Sequence, residues 1–291
     1  MKLDHLVINT RFQTDAAAAL FAALGFTLTP RGHHTLGSIN HLVMFDHHYL
    51  ELIGLPNDGG KLRQEVLNSP GGIDGLVMQT QTPEAVAADL DAKGFGMGPV
   101  QQFSRPVEVE GQTLDASFVT VRLNPGQVAA GRVYYCHHLT PELVWRAPWL
   151  THDNGVTGIV GLTVVGHDPA SLRTQYADLG VELDTRFVTQ AAFFEKFGAH
   201  FGERFDAFRA HMPVLAPSPE LATQLQLAIN APEKTGDDAP RAGYFGAITL
   251  KAAAPDAVAT RARDAGLPVY VDHDRVVVAL PTLATYLEFI R

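Results

Sequence analysis

Leu3-Asp4-His5-Leu6-Val7-Ile8-Asn9-Thr10, then Thr14-Asp15, then Gly25-Phe26 spell a strand, a helix start and a helix stop in the first 26 residues. The strand is apolar and β-branched, Thr14 is placed to cap, Asp15 favours the first turn, and 16–24 runs as helix to Gly25. Glycine ends it because the left-handed conformation costs it nothing. The same pattern recurs three times. Strand 73–80, Thr82-Pro83 and Gly94 form a second copy; strand 159–166, Asp168-Pro169 and Gly180 a third; strand 247–251, Pro255-Asp256 and Gly266 a fourth. Extended segments follow the helices at 39–45, 49–53, 116–123, 132–138, 275–280 and 285–290. Each unit therefore reads β-α-β-β-β. Tyr49-Leu50-Glu51-Leu52-Ile53 also reappears as Tyr286-Leu287-Glu288-Phe289-Ile290, so internal duplication accounts for the chain.

At 291 residues the chain is long enough for two ordinary domains. The polar, turn-prone stretch 151–155 separates the pairs, giving expected domains 1–150 and 151–291. An apolar fraction of 46% and a charged fraction of 18% are those of a globular protein with a sizeable core. Net charge is −9, from 22 basic and 31 acidic residues with no basic cluster, which argues against a nucleic-acid partner. No run reaches the roughly 18 apolar residues of a membrane span, and the charged opening carries no secretory apolar stretch. A cytoplasmic protein without a membrane partner is expected. The lone Cys136 leaves any metal to histidine and carboxylate ligands.

Four segments carry a family resemblance: Leu3-Asp4-His5-Leu6-Val7; Gly25-Phe26-Thr27-Leu28-Thr29-Pro30; Asn40-His41-Leu42 with Tyr49-Leu50-Glu51-Leu52-Ile53; and Cys136-His137-His138-Leu139-Thr140-Pro141-Glu142-Leu143-Val144-Trp145. They resemble the glyoxalase-like-domain branch of the vicinal oxygen chelate superfamily of glyoxalases, extradiol dioxygenases and antibiotic-resistance proteins, over residues 1 to about 160. The resemblance implies an α+β fold of four βαβββ modules in two pairs, each pair a curved mixed-sheet cup with helices outside. It implies a divalent metal (Fe, Mn, Ni, Co or Zn) at the base of the cup, held by residues of first and last strands and chelating two vicinal oxygens of a small substrate. Lyase, isomerase and dioxygenase chemistry share that scaffold; the alternative is a non-catalytic binding or resistance protein of the bleomycin-resistance type.

Counting back nineteen or twenty residues from each helix-ending glycine lands on His5, Gly75, Gly161 and Ala247. Three are small and one carries an imidazole, so His5 is a candidate metal ligand, on the strand face opposite Asp4 and Leu6. Glu51 sits inside an apolar strand, where a carboxylate needs a cation or strong donors, and it matches the superfamily's last-strand ligand. It is also the candidate base. The competing reading is an edge-strand glutamate facing solvent, and Glu288, lacking a histidine partner, is left out. Only one of His137 and His138 can face the cup, and the resemblance favours His138, completing two imidazoles and a carboxylate. Many superfamily members also use a ligand at the place of Gly75, so its absence implies either three protein ligands or a lost metal site.

His41, Arg31, Arg105, Tyr135 and Trp145 are candidate substrate-binding residues, the arginines for a carboxylate or phosphate group. The doublets His33-His34 and His47-His48 fall on loops, and His152 in the linker is a candidate to close over the site. Phe194, Phe197, Phe201, Phe205 and Phe208 recur at helical spacing. Packing on the sheet is their expected role; a lid or a homodimer surface is the functional alternative.

Overall fold

The structure is a computed structural model that describes residues 1–201, 209, 212, 213, 215 and 241–291. Two mixed sheets carry it. The first comprises β1 (Leu3–Arg11), β2 (Gly32–His33), β3 (Ile39–Met44), β4 (Tyr49–Gly54), β5 (Gly72–Gln79), β6 (Gln101–Val109), β7 (Gln112–Arg122) and β8 (Arg132–His138), in the order β2-β3-β4-β1-β5-β8-β7-β6. The second comprises β9 (Val156–Gly166), β10 (Asp184–Val188), β11 (Gly243–Ala252), β12 (Val269–Asp272), β13 (Arg275–Leu280) and β14 (Thr285–Ile290), in the order β10-β9-β11-β14-β13-β12. Helices α1 (Thr14–Ala23), α3 (Pro83–Ala92), α4 (Pro169–Asp178) and α6 (Pro255–Asp264) each follow the first strand of a copy, while α2 (Gln64–Asn68) and α5 (Gln190–Phe201) lie outside that pattern.

Gly25, Gly94, Gly180 and Gly266 have φ of 86°, 89°, 73° and 72°, the left-handed helix stop that a side chain resists. Asp168 caps α4 by accepting from the backbone N–H groups of Ala170 and Ser171 at 3.0 and 3.1 Å. Thr14 is instead the first residue of α1, its hydroxyl 2.9 Å from that of Thr10.

Within the first sheet β1 runs parallel to β4 and β5 parallel to β8, with β1 and β5 antiparallel at the centre. This is a two-fold arrangement of two copies. The sheet curls until its ends meet, where the Thr35 hydroxyl donates to the Ser104 carbonyl at 3.3 Å. Its concave face carries Val7, Leu42, Tyr49, Phe118 and Tyr134. Its convex face packs Leu6, Ile8 and Leu76 against Leu250, Leu287 and Phe289 of the second sheet in one continuous core. Burying that face is the main force holding the halves together.

His152 belongs to this junction. Its Nδ1 accepts from the Thr27 N–H at 3.1 Å and its Nε2–H donates to the Met44 carbonyl at 2.9 Å, so it ties the linker down and does not close over the cup. Copy three departs from the repeat after β10, where α5 enters and lays Phe193, Phe197 and Phe201 on the concave face of the second sheet. The stripe thus packs on the sheet, with Phe197 stacked on Tyr286 at 4.1 Å; Phe205 and Phe208 fall outside the described residues. Among the described residues no helix is long and apolar enough to cross a membrane.

Candidate active site

The site begins with a bulge in β1. Leu3 pairs with Met78 and His5 with Val77, so Asp4 is an extra residue between two consecutive partners. Strict alternation would put Asp4 on the convex face, but a bulge turns two neighbouring side chains the same way. Asp4 and His5 therefore both enter the cup. The His5 Nδ1–H donates to Asp4 Oδ1 at 2.6 Å, and the His138 Nε2–H donates to the same oxygen at 3.1 Å. Burial alone would raise the Asp4 carboxyl; the two imidazoles outweigh it and hold it at about 2. An ionised aspartate can only accept, which fixes the His5 proton on Nδ1 and turns Nε2 into the cavity.

His5 Nε2 lies 3.8 Å from Glu51 Oε2 and 3.4 Å from the Tyr134 hydroxyl, with the ring stacked on Tyr49 at 4.3 Å. Glu51 is 6% exposed, and its Oε1 accepts from the Asn40 amide at 2.6 Å. Burial pushes this carboxyl up, but His34, His5, the Asn40 donor and Arg63 together bring it below the usual glutamate value. β4 lies between β3 and β1, so Glu51 is not on an edge strand.

The pseudo-symmetry shows what the second copy supplies. His5 pairs with Tyr49 and Val7 with Glu51 across β1 and β4; Gly75 pairs with Arg132 and Val77 with Tyr134 across β5 and β8. Gly75 thus holds the place of His5, and Tyr134 that of Glu51. Asp74 repeats Asp4, even to the register shift, and its Oδ2 accepts from the Arg132 guanidinium at 2.6 and 2.8 Å. Gly75 cannot be a ligand for a steric reason. A Cβ there would lie 2.8 Å from Val7 Cγ2 and 2.9 Å from Val7 Cβ.

A cavity opens above these groups, and its walls include Arg63, Arg105 and Arg122. Glu65 takes Arg63 at 2.5 Å and Arg122 at 3.5 Å, and Arg122 also donates to Gln101 Oε1 at 2.6 Å. Arg105 is 5% exposed, and its side chain makes no hydrogen bond or salt bridge with any described residue, with Glu51 the nearby carboxylate that acts on its charge. His34 lines the cavity with its Nδ1 2.8 Å from the Ser38 hydroxyl; burial, reinforced by Arg63 and Arg105 against Glu51, pushes it down to about 4.

Several predicted residues stand elsewhere. Tyr135 faces the convex core, donating to the Leu179 carbonyl at 2.9 Å, because inward residues of β8 are Tyr134, Cys136 and His138. His41 also points outward, 2.9 Å from the Thr29 carbonyl, between inward Asn40 and Leu42. Arg31 is exposed and pairs with Asp15. Trp145 donates to the Phe45 carbonyl at 3.0 Å and packs on His138 at 4.8 Å, closing the far end of the cup. Tyr134, which the cluster of Tyr134, Tyr135, Trp145 and Trp149 around His138 marks in the sequence as aromatic pocket wall, does line the cavity, whereas nothing in the sequence reading marks Asp4, Arg63 or Arg122. Asp4 and Asp74 stand at matching places in copies one and two, a signal the repeat contained.

The model of the glyoxalase-like domain matches residues 3–180, more than half of the chain. The chain belongs to the glyoxalase-like domain family. No curated protein matches it. Among solved structures, a hypothetical protein from Staphylococcus aureus is similar at a TM-score of 0.57 and 12% identity, over 99% of this chain and 98% of that one. A xylose isomerase-like TIM barrel/4-hydroxyphenylpyruvate dioxygenase fusion protein reaches 0.54 at 12% identity, over 99% of this chain and 49% of that one. A mutant of 4-hydroxymandelate synthase from Streptomyces coelicolor reaches 0.51 at 10% identity, over 99% and 92%. The last two are vicinal oxygen chelate members, and at such identities they establish that fold for this glyoxalase-like protein.

The donor set of this family member does not fit the superfamily's divalent metal. Of the four ligand places, His5 and Glu51 offer donors, Gly75 offers none, and Tyr134 offers a phenol that burial pushes well above its usual range. Two firm ligands fall short of the three that hold an open divalent site. His138 does not join them. Among the described residues, the one trio with donor atoms all within 4.8 Å is Asp4, Cys136 and His138, where Asp4 and His138 already bond each other and burial, with Asp4, keeps the Cys136 thiol protonated.

Proposed function

We propose that the first cup is the active site of a lyase or isomerase that moves a proton on a small oxygenated molecule, with His5 as the group that takes and returns it. The observation carrying this reading is the Asp4–His5 pair, bonded through Nδ1 at 2.6 Å, with Nε2 turned into the cavity and 3.8 Å from Glu51. A carboxylate behind an imidazole fixes its tautomer and stabilises the charge acquired when Nε2 takes a proton. Glu51 supplies a second such charge. Its lowered pKa makes it a weak base but a dependable anion, which moves the base role from Glu51 to His5.

A proton leaving a carbon beside a carbonyl puts negative charge on oxygen. The cationic wall of Arg63, Arg105 and Arg122 and the Tyr134 hydroxyl are the groups available to stabilise it. This supports lyase or isomerase chemistry ahead of the dioxygenase branch, for which the donor set offers no support.

The test is hydrogen exchange. The protein is incubated in D2O with small 2-oxo acids, 2-hydroxy acids and aldehydes, and deuterium at the carbon beside the oxygen is read by NMR. Wild type is expected to catalyse exchange into at least one compound, and His5→Gln to slow it by about 100-fold or more. Exchange at an undiminished rate in His5→Gln refutes the assignment.

A further inference from the structure

Three arginines line one cavity, and they are not equivalent. Arg63 and Arg122 share Glu65, whereas Arg105 is buried with no described partner. A guanidinium walled into a cavity with no hydrogen-bonded counter-ion, and only the nearby charge of Glu51 to offset it, is completed by a ligand that supplies an anion. The surroundings keep room for one. Gly32 lies over Arg105, and a Cβ there would press on Asn40 Oδ1 at 2.3 Å and approach the Arg105 NH1 nitrogen to 3.2 Å.

We infer that Arg105 is a carboxylate-binding residue and that the cup takes small monocarboxylates with an apolar body, an inference that rests on the reading of this cup as the active site. The planar guanidinium fork matches a carboxylate in two parallel hydrogen bonds. A dianion such as phosphate is disfavoured, because Glu51 lines the same cavity and Asp4 stands behind it. The apolar body follows from what flanks Arg105. Phe103 is two residues away on the same face of β6, about 6.6 Å along the strand. It pairs with Phe118 of β7, the rings stacked at 5.3 Å. Leu42 and Val144 complete the apolar lining. Burial also lowers the Arg105 pKa, opposed by Tyr49 and Glu51, consistent with a cation short of counter-charge.

The substrate is thus held by its carboxylate on Arg105, with the cationic wall doing part of what a chelated metal does elsewhere in the superfamily. Arg63 and Arg122 are left for the oxyanion that forms when His5 takes the proton.

Calorimetry on the full chain with benzoate, phenylacetate, acetate, benzamide and inorganic phosphate tests this. Benzoate or phenylacetate is expected to bind, acetate and benzamide at least about tenfold more weakly, and Arg105→Gln to weaken the carboxylate by about 10- to 100-fold. Arg105→Lys, which keeps charge and bulk but loses the fork, is expected to fall between, and it decides the matter if Arg105→Gln does not fold. Three results overturn the inference: no carboxylate binds, benzamide or phosphate binds as well as benzoate, or both Arg105 variants bind benzoate like wild type. Benzoate binding lost in Arg105→Gln without deuterium exchange on any compound leaves this inference standing and overturns the proton-transfer reading. Exchange confined to neutral compounds, with no carboxylate bound, does the reverse.

Discussion

Gly75→Ala tests why this cup lacks half of its family's ligand places. Gly75 has no left-handed backbone to protect, so the cost of a side chain there is purely steric. The new Cβ would meet Val7 Cγ2 at 2.8 Å and Cβ at 2.9 Å, against the 3.5–4.0 Å of a relaxed carbon contact. Val7 is fully buried and stiff about χ1, so it cannot rotate away. Overpacking of this kind costs about 1–3 kcal/mol. Replacing glycine returns about 0.4–1 kcal/mol by restricting the unfolded chain. The net expectation is a loss of about 1–2 kcal/mol, or a melting temperature lower by roughly 2–6 °C. In a Val7→Ala background the closest contact is gone and the same substitution should cost about half as much, a coupling near 1 kcal/mol measurable by urea titration of the four proteins. If Gly75→Ala is neutral in wild type, Val7 is not what empties this position, and if it costs the same in both backgrounds, the Val7 Cγ2 contact is not.

Asp4 should set the acid limb of stability. Its folded pKa of about 2 lies below the unfolded 3.8, so its contribution, on the order of 2 kcal/mol, is complete above about pH 5 and lost as pH falls toward 2; Asp4→Asn should flatten that limb in pH-dependent urea melts. Protein purified without chelators should carry far less than one equivalent of metal, and Mn, Fe, Ni, Co or Zn should leave its melting temperature unmoved; stoichiometric metal lost in His5→Ala and Glu51→Ala reverses the conclusion about the donor set. Glu288→Gln should cost about 2–3 kcal/mol, at or below the range for a fully buried ion pair because Arg186 and Lys196 can turn to solvent, while leaving benzoate binding in the first cup unchanged.

The repeat was legible because helix stops and strand alternation are local. Gly25, Gly94, Gly180 and Gly266 all adopt the left-handed stop, and α3, α4 and α6 start at the expected Pro83, Pro169 and Pro255, while α1 starts at Thr14 itself and not after it. What alternation could not show is where it breaks. No glycine or proline flags the bulge at Asp4, which arises only from the pairing of β1 with β5, and with it the contact between Asp4 and His5. If His138 faces the cup then Tyr134 does and Tyr135 does not, just as inward Asn40 and Leu42 exclude His41. Arg63 had no such handle. It precedes the short α2 in a stretch without periodicity, and it reaches the cup through the closing of a loop.

The second sheet shows what happens to the same scaffold when its cup is filled. Glu288 pairs with Thr249 across β11 and β14 as Glu51 does with Val7, and it lies on an interior strand, fully buried rather than facing solvent. There the repeat places Ala247 where copy one has His5, and the cup is plugged by Phe193, Phe197 and Phe201. The plug fits so closely that a Cβ on Gly246 would meet the Phe193 ring at 2.6 Å. Glu288 is neutralised from within the fold, by Arg186, by Lys196 at 2.5 Å and by the Thr249 hydroxyl at 3.1 Å. Glu51, by contrast, has an asparagine amide and an imidazole, and the nearby guanidinium of Arg105 is bonded to neither it nor any other described residue. One duplicated glutamate is locked into a structural ion pair and the other borders an open cavity with an unspent cation. That difference in charge pairing, more than the presence of histidine, is what supports placing the proposed chemistry in the first cup.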